Sequence, residues 1–467
     1  MKKQYDIAIL GGGPGGYVAA IRAGQLGFNT VVIDKDNLGG ICLNWGCIPT
    51  KSLLKNAEIF DQIKNHGEDF GITADGLEFD FTKIVKRSRD ISDRISKNVE
   101  MLVKKNKVDR IRGFGKVVSK NTIEVYDEKK KLSETIKADK IIIATGARPR
   151  SISAIPVDNK NIITSTEAMI LKKLPKDLIV IGAGAIGVEF AYFYSTFGTK
   201  VTIVEMLSHV LPIEDEEVSI ALEKNLKKKG IEILTSAVVE KAEVRGSKVN
   251  VTVNVNGERK VLFAEKVLNA IGVVGNIEGI GLEEVGVQSE KNHIRVNKET
   301  YETTVPGIFA IGDVIGPPWL AHVASAEGIH CVERIKGIIN PPINYDNIPG
   351  CTYCQPQVAS VGLTETKAKE KGFDIKVGKF PFMASGKAFA VGEREGFVKL
   401  IFDAKYGEIL GGHIIGSEAT EMIAEITLAR SLEATGESII KTIHAHPTLS
   451  EAIMEAAANA YGEAIHI

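Results

Sequence analysis

The strongest constraint on the fold is a pattern that occurs twice. Residues 5–10 (Tyr-Asp-Ile-Ala-Ile-Leu) form an apolar run suited to a buried parallel strand, and Gly11-x-Gly13-x-x-Gly16 follows at once. A helix to about Gly27 and a second apolar run, Thr30 to Ile33, then end on Asp34. The second copy has a strand at Leu178–Ile181, Gly182-x-Gly184-x-x-Gly187, a helix through about Phe197, and a strand at Lys200–Val204 ending on Glu205. From last glycine to acid is 18 residues in both copies (16 to 34, 187 to 205). One GxGxxG is an ordinary turn. Two, each with strand, helix and acid in register, are dinucleotide-binding fingerprints. The glycines let backbone N–H groups approach a pyrophosphate, the helix N-terminus adds positive potential, and the acid accepts ribose hydroxyls. Two sites imply two dinucleotides, a flavin and a nicotinamide being the natural pair. Glu205 selects between nicotinamides: it pairs with a free 2′-hydroxyl and repels a 2′-phosphate, and Met206-Leu207-Ser208-His209 offers no Arg or Lys to receive one. NAD is expected rather than NADP.

The rest of the chain fits around these copies. Residues 80–105 have Ile84, Ile91, Ile95, Val99 and Leu102 at helical spacing, a pattern of core packing. Residues 108–147 alternate like antiparallel strands and end Ile141-Ile142-Ile143-Ala144-Thr145-Gly146; residues 231–271 repeat that character. Ile308–Ile311 is a strand running into Gly312-Asp313, where a turn is the simpler reading and a polyol-binding carboxylate the alternative. A linker falls near 340–346. Beyond it, alternating strands (357–362, 375–380, 396–402, 409–415) and then long helices make an α+β domain without a nucleotide motif, suited to pairing subunits. The expected class is α/β: two Rossmann-like domains plus a C-terminal α+β dimerisation domain. The boundaries are 1–147, 148–272, a central 273–345 that completes the first site, and 346–467.

The balance of 58 basic and 59 acidic residues gives no electrostatic reason to expect nucleic acid or an anionic membrane. No apolar run reaches the ~18 residues of a membrane span. Met1-Lys2-Lys3 echoes a signal peptide, but the glycine loop breaks the apolar stretch, and a strand with a phosphate loop explains it better. Five cysteines are not a secreted disulfide framework. A cytoplasmic setting is expected.

Cys42 and Cys47 lie in Gly39-Gly40-Ile41-Cys42-Leu43-Asn44-Trp45-Gly46-Cys47-Ile48-Pro49-Thr50-Lys51. Alone, a C-x4-C pair in a reducing compartment is more often a spectator. Just downstream of a dinucleotide fingerprint it becomes a redox disulfide facing a flavin. Cys351-Thr352-Tyr353-Cys354 lacks further metal ligands and a helix start, and is expected to be structural, with no metal bound. Cys331 is expected to be a buried small residue in a helix.

With these residues in view, the chain resembles the flavin-linked pyridine-nucleotide disulfide oxidoreductases, in particular those that oxidise dihydrolipoamide. The motifs are GGGPGG (11–16), GGICLNWGCIPTK (39–51), IIATGARP (142–149), IGAGAIGVE (181–189), FAIGD (309–313), LAH (320–322) and HAHPTLSE (444–451). The resemblance implies FAD and NAD as cofactors. Cys47 is then the sulfur against the flavin, Cys42 the exchange thiol, and His446 with Glu451 the base that reaches the site from the other copy of a homodimer. FAD contacts are implied at Gly11, Gly13, Gly16, Asp34, Lys51, Gly115, Gly146, Asp313 and Ala321. NAD contacts are implied at Gly182, Gly184, Ile186, Gly187, Glu205, Val238 and Gly272, with Glu189 pairing with Lys51. The lipoyl group would arrive on a partner protein of a 2-oxo-acid dehydrogenase or glycine-cleavage complex.

Two positions depart from the pattern. Trp45 stands where a small or aliphatic residue is usual; an indole there has room to pack on the disulfide without changing the chemistry, or to narrow the site. Val273-Val274 follows Gly272 where an Arg is common. Thr448-Leu449-Ser450-Glu451 also fits a helix-capping box, so Glu451 has a structural reading beside the catalytic one. His444 is read as structural. A glutathione-type reductase and a non-catalytic FAD-binding scaffold remain as alternatives.

Overall fold

A computed structural model describes residues 3–467; Met1 and Lys2, which open the signal-like stretch, lie outside the described residues. The chain divides into two compact units. One comprises residues 1–52, 83–150 and 272–343, and the other 53–82, 151–271 and 344–467.

In the first unit, the strand Lys3–Leu10 lies between Thr30–Asp34 and the end of Leu132–Ile143, parallel to both (Leu10 opposite Ile33 and Ile143). Asp109–Arg112 extends one edge in parallel, and Ile308–Ala310 adds beside Ile141–Ile143. The inner stretches 7–10, 31–33, 141–143 and 308–310 are buried on both faces, which explains their unbroken apolar runs. The expectation of antiparallel strands over 108–147 holds only for the middle. Phe114–Ser119, Thr122–Tyr126 and the first half of Leu132–Ile143 form an antiparallel meander. The 12-residue strand Leu132–Ile143 serves both arrangements. Alternation marks a strand but not the direction of its neighbour. The helices Pro14–Gln25 and Ala321–Ile335 cross closely: a Cβ on Gly328 would come 2.6 Å from the Gly15 carbonyl.

The helix expected over 80–105 spans Phe81–Lys105, but a different stripe is buried. Ser88, Ser92 and Ser96, with Val99 and Val103, face inward, while Leu102 is exposed. Small side chains let this helix approach the 38–44 segment, and the Ser96 hydroxyl donates to Leu38 O at 2.7 Å. The apolar periodicity therefore indicated the helix and part of its buried face, since Val99 is buried and Ile95 packs against the core.

In the second unit, five parallel strands run in the order 232–234, 200–204, 177–181, 266–269, 162–163, beside a three-stranded antiparallel meander over 237–264. Helix Ala185–Thr196 is buried almost all round. Phe197, just after it, packs on Phe193 and meets Phe60 and Phe79, with centroids 4.9–5.3 Å apart, which ties residues 53–82 into this unit. The C-terminal strands 350–352, 357–362, 409–416, 397–403 and 375–381 form one antiparallel sheet. The helices after it are shorter than expected: Ala419–Ser431, Gly436–Lys441 and Glu451–Ala460. Among the described residues no helix is long and apolar enough to cross a membrane.

A buried charge cluster braces this unit. Lys399, 1% exposed, lies 2.9, 2.9 and 2.7 Å from Asp215, Glu217 and Glu365. Burial alone would lower the lysine's pKa; the three carboxylates outweigh it and hold it raised. Asp215 and Glu217 are held below the ordinary carboxylate range by Lys399 against the effect of burial, and Glu365 by Lys369 and Lys399. These depressed carboxylates contribute stability that is present above their unfolded pKa values and is lost as pH falls through the folded ones. Lys399→Met leaves Asp215 buried beside two further acids without their cation. It is expected to cost about 3–5 kcal/mol, read as a lowered thermal midpoint at pH 7 whose deficit shrinks on acidification toward pH 4.

Candidate active site

Both glycine turns have the same construction. A Cβ on Gly16 would sit 1.9 Å from Gly11 O, and one on Gly187 would sit 1.9 Å from Gly182 O. Only glycine lets the helix start this close to the strand end. Asp34 Oδ2 accepts from Gly12 N–H and Glu205 Oε2 from Ala183 N–H, each at 2.6 Å. The other oxygen of each acid accepts a backbone N–H two residues on, from Asp36 (2.8 Å) and Leu207 (2.9 Å). Each acid is thus fixed at the rim of its turn with lone pairs left over, since a carboxylate accepts about four hydrogen bonds. Burial pushes the Asp34 carboxyl up, against those backbone N–H groups. These cradles fit dinucleotides: bare backbone N–H at a helix N-terminus for the phosphates, and an anchored acid beside it for the ribose. Gly187→Ala, which forces its Cβ into Gly182 O, is expected to raise the KM for NAD⁺ at least about tenfold, a loss of ~1.4 kcal/mol. Flavin content should stay at the wild-type level.

The other expected cofactor residues in the first unit have varied settings. Gly115 lies in the strand Phe114–Ser119, where a Cβ would meet Leu10. Gly146 has φ +69 and an open Cβ position. Asp313 is the second residue of the one-turn helix Gly312–Ile315. Burial, then the Glu327 charge, pushes its carboxyl up to about 6. Ala321 opens the helix Ala321–Ile335. Gly272 begins the segment that returns to this unit, and its carbonyl accepts from Arg150 N–H at 2.9 Å. After it, Val273–Gly275 pairs antiparallel with Ala147–Pro149. In the second unit, Ile186 is exposed just inside its helix, Val238 is exposed at the start of the meander, and Glu189 Oε1 accepts from Tyr353 N–H at 2.9 Å.

The cysteine segment is attached directly to the first turn. Gly39 N–H donates to Gly12 O at 2.8 Å, and a Cβ on Gly40 would come 2.6 Å from Gly13 Cα. The glycine lead-in therefore packs backbone against backbone on the dinucleotide loop. Cys42 lies in the short helix Gly40–Trp45, and Cys47 is the first residue of the 20-residue helix Cys47–His66. A helix N-terminus favours an anionic sulfur. The Cys42 thiol is hydrogen-bonded to Cys47. That bond, burial of Cys42 and the negative charge of Cys47 hold the Cys42 proton on far above the ordinary thiol range, with Lys51 pulling the other way. Tyr17, which the motifs did not single out, lies within electrostatic reach of Cys42.

Trp45 meets a cation that nothing near it in sequence announces. Its ring lies under the Arg89 guanidinium, 4.5 Å from the ring centroid, and Arg89 also donates to Asn44 O. Asn44 in turn donates to Gly40 O (3.0 Å) and Leu38 O (3.2 Å). A cation over an indole outcompetes other packing for a half-exposed ring. Arg89 is 44 residues beyond Trp45, so no local signal could reveal it.

The second constellation is a histidine–carboxylate pair. His446 Nδ1 lies 2.9 Å from Glu451 Oε1, while Glu451 Oε2 accepts from Thr448 N–H at 2.8 Å. The one carboxylate of Glu451 thus meets the histidine and the Thr448 backbone at the same time. The capping box is only half made, because the Thr448 hydroxyl donates to Ala445 O and the helix begins at Glu451 itself. Burial would raise the Glu451 carboxyl; Thr448 N–H and His446 outweigh it and keep it below its usual value. The His446 side chain is 79% exposed. His444, 6% exposed, is fixed by Glu425 at 2.7 Å and Thr442 O at 2.9 Å, a structural histidine as expected.

Cys331 is buried in helix Ala321–Ile335, as its surroundings implied. Cys354 is buried with its sulfur on Pro356 O, and no cluster of metal-ligating groups occurs among the described residues.

Residues 5–328 match the family described as pyridine nucleotide-disulphide oxidoreductase, and residues 348–457 match its dimerisation domain. The chain belongs to the pyridine nucleotide-disulphide oxidoreductase family. It is similar to a Rhizobium etli protein named dihydrolipoyl dehydrogenase, 48% identical with all of both chains covered. Among solved structures it resembles LpdA from Mycobacterium tuberculosis (TM-score 0.90, 28% identity, 97% of this chain and 99% of that one). It also resembles the HOCl-induced flavoprotein disulfide reductase RclA from Escherichia coli (TM-score 0.88, 26% identity, 98% and 99%).

Proposed function

We propose that the chain is a dihydrolipoyl dehydrogenase, an NAD-dependent flavoprotein that oxidises dihydrolipoyl groups through a Cys42–Cys47 disulfide. The observation that carries this reading is the pair of cysteines attached to the first glycine turn, with Cys42 in the short helix Gly40–Trp45 and Cys47 the first residue of the helix Cys47–His66. In the oxidised enzyme, His446 Nε2 takes a proton from the substrate dithiol, and Glu451 on Nδ1 holds the ring and stabilises the imidazolium. The substrate thiolate attacks Cys42, which breaks the Cys42–Cys47 bond and leaves Cys47 as thiolate. The second substrate thiol displaces Cys42: His446 gives its proton to the departing Cys42 sulfur and takes the one released by the second thiol, so that the two protons of the substrate end on Cys42 and His446. Lipoamide leaves, and the enzyme keeps two electrons as the dithiol. FAD, when bound, couples the electron pair of the thiols to hydride acceptance by NAD⁺. The overall balance is dithiol plus NAD⁺ to disulfide, NADH and a proton.

Gly11, Gly13, Gly16, Asp34, Lys51, Gly115, Gly146, Asp313 and Ala321 are the residues proposed to hold FAD. Gly182, Gly184, Ile186, Gly187, Glu205, Val238 and Gly272 are those proposed for NAD, with Glu189 placed near the flavin. The dimerisation-domain match and the exposure of His446 support a homodimer in which each His446 serves the thiols of the other copy. The lipoyl group is carried by a partner protein of a 2-oxo-acid dehydrogenase or glycine-cleavage complex. A substrate panel tests the reading: dihydrolipoamide with NAD⁺ should exceed every other pairing. A preference for glutathione disulfide with NADPH contradicts it.

A further inference from the structure

Two histidine–carboxylate pairs share one helix. Glu451 and Glu455 stand four residues apart on Glu451–Ala460, a spacing that puts both on one face. Glu451 holds His446. Glu455, 4% exposed, accepts on Oε1 from His466 Nδ1 at 2.7 Å, and on Oε2 from the backbone N–H of Ile465 (3.1 Å) and His466 (3.4 Å). A buried carboxylate needs such donors, and these come from the 461–467 segment folded back along the helix. His466 is also among the charges that keep Glu451 ionised.

We propose that Glu455 and His466 are a positioning pair that sets the acid–base balance of the His446–Glu451 dyad. The inference rests on His446 being the base of the proposed reaction. Paired, His466 offsets the Glu455 carboxylate as seen from the dyad. Without His466, the Glu455 charge is left one turn from Glu451 and favours the His446 imidazolium. Without the Glu455 charge, His466 is left beside Glu451 with no counter-charge of its own and disfavours it. The other charged groups nearby are already engaged: His444 with Glu425, and Lys441 with Glu437 and, at longer range, Glu463.

The test is the pH profile of kcat/KM for dihydrolipoamide in the full-length holoenzyme. The acid limb should move to lower pH in Glu455→Gln and to higher pH in His466→Asn, each by about half a pH unit. NADH oxidation by ferricyanide, which needs no base at the thiols, should keep its profile. A merely structural role lowers activity in both variants without moving the limb in opposite directions. His466→Arg, which keeps a cation over Glu455, should restore the wild-type limb. The pH dependence of diethylpyrocarbonate labelling at His446, followed by peptide mass spectrometry, gives a readout independent of turnover. Limbs and labelling profiles that stay fixed, or move in the same direction, overturn the pair. A wild-type enzyme inert toward dihydrolipoamide refutes the proposed function instead, and labelling at His446 still decides this inference.

Discussion

Cys42→Ser is expected to lower dihydrolipoamide-dependent NAD⁺ reduction by more than about 10⁴-fold, with flavin still bound and NADH oxidation by ferricyanide largely retained. The substrate must form a mixed disulfide with a sulfur that leaves easily, and serine provides none. The hydroxyl is close in size to the thiol and can still hydrogen-bond Cys47, so the loss is chemical and not a packing defect. Cys47→Ser should cost as much by a different route, because it removes the sulfur proposed to lie against the flavin. Stopped-flow reduction by dihydrolipoamide separates them from folding defects. Wild-type turnover in Cys42→Ser would make the bridge structural and favour the scaffold alternative.

The second large effect is at His446. His446→Gln keeps a polar side chain but cannot cycle a proton near neutrality, and is expected to cost about 10²–10⁴-fold in kcat. Glu451→Gln retains an acceptor for Thr448 N–H but gives up the negative charge behind the imidazole. It should cost less and move the acid limb of the pH profile down, because the imidazolium loses its counter-ion. Steady-state rates from pH 5.5 to 9 measure both effects. Equal stability of the variants with unchanged rates would remove His446 from the reaction.

Much of this was legible because it is local. Strand, glycine turn, helix and acid follow one another in sequence, and the spacing that places Asp34 at Gly12 also places Glu205 at Ala183. His446 and Glu451 meet across five residues, within one turn and a helix start. What was not legible depends on distant partners. Trp45 finds Arg89 through the approach of a serine-faced helix, and that face is hidden in an apolar periodicity that points elsewhere. Nor does a strand's alternation reveal that Leu132–Ile143 pairs antiparallel at one end and parallel at the other. Glu455 looks like one more acid in an Ala-rich helix until the 461–467 segment folds back onto it.

The most direct measurement is an anaerobic titration of the purified yellow protein with dihydrolipoamide while its visible spectrum is recorded. The account predicts a long-wavelength thiolate-to-flavin band at two electrons, discharged by NAD⁺ with NADH formed in equal amount. Bleaching straight to reduced flavin without that band would mean that Cys42 and Cys47 are not coupled to the flavin and would contradict it.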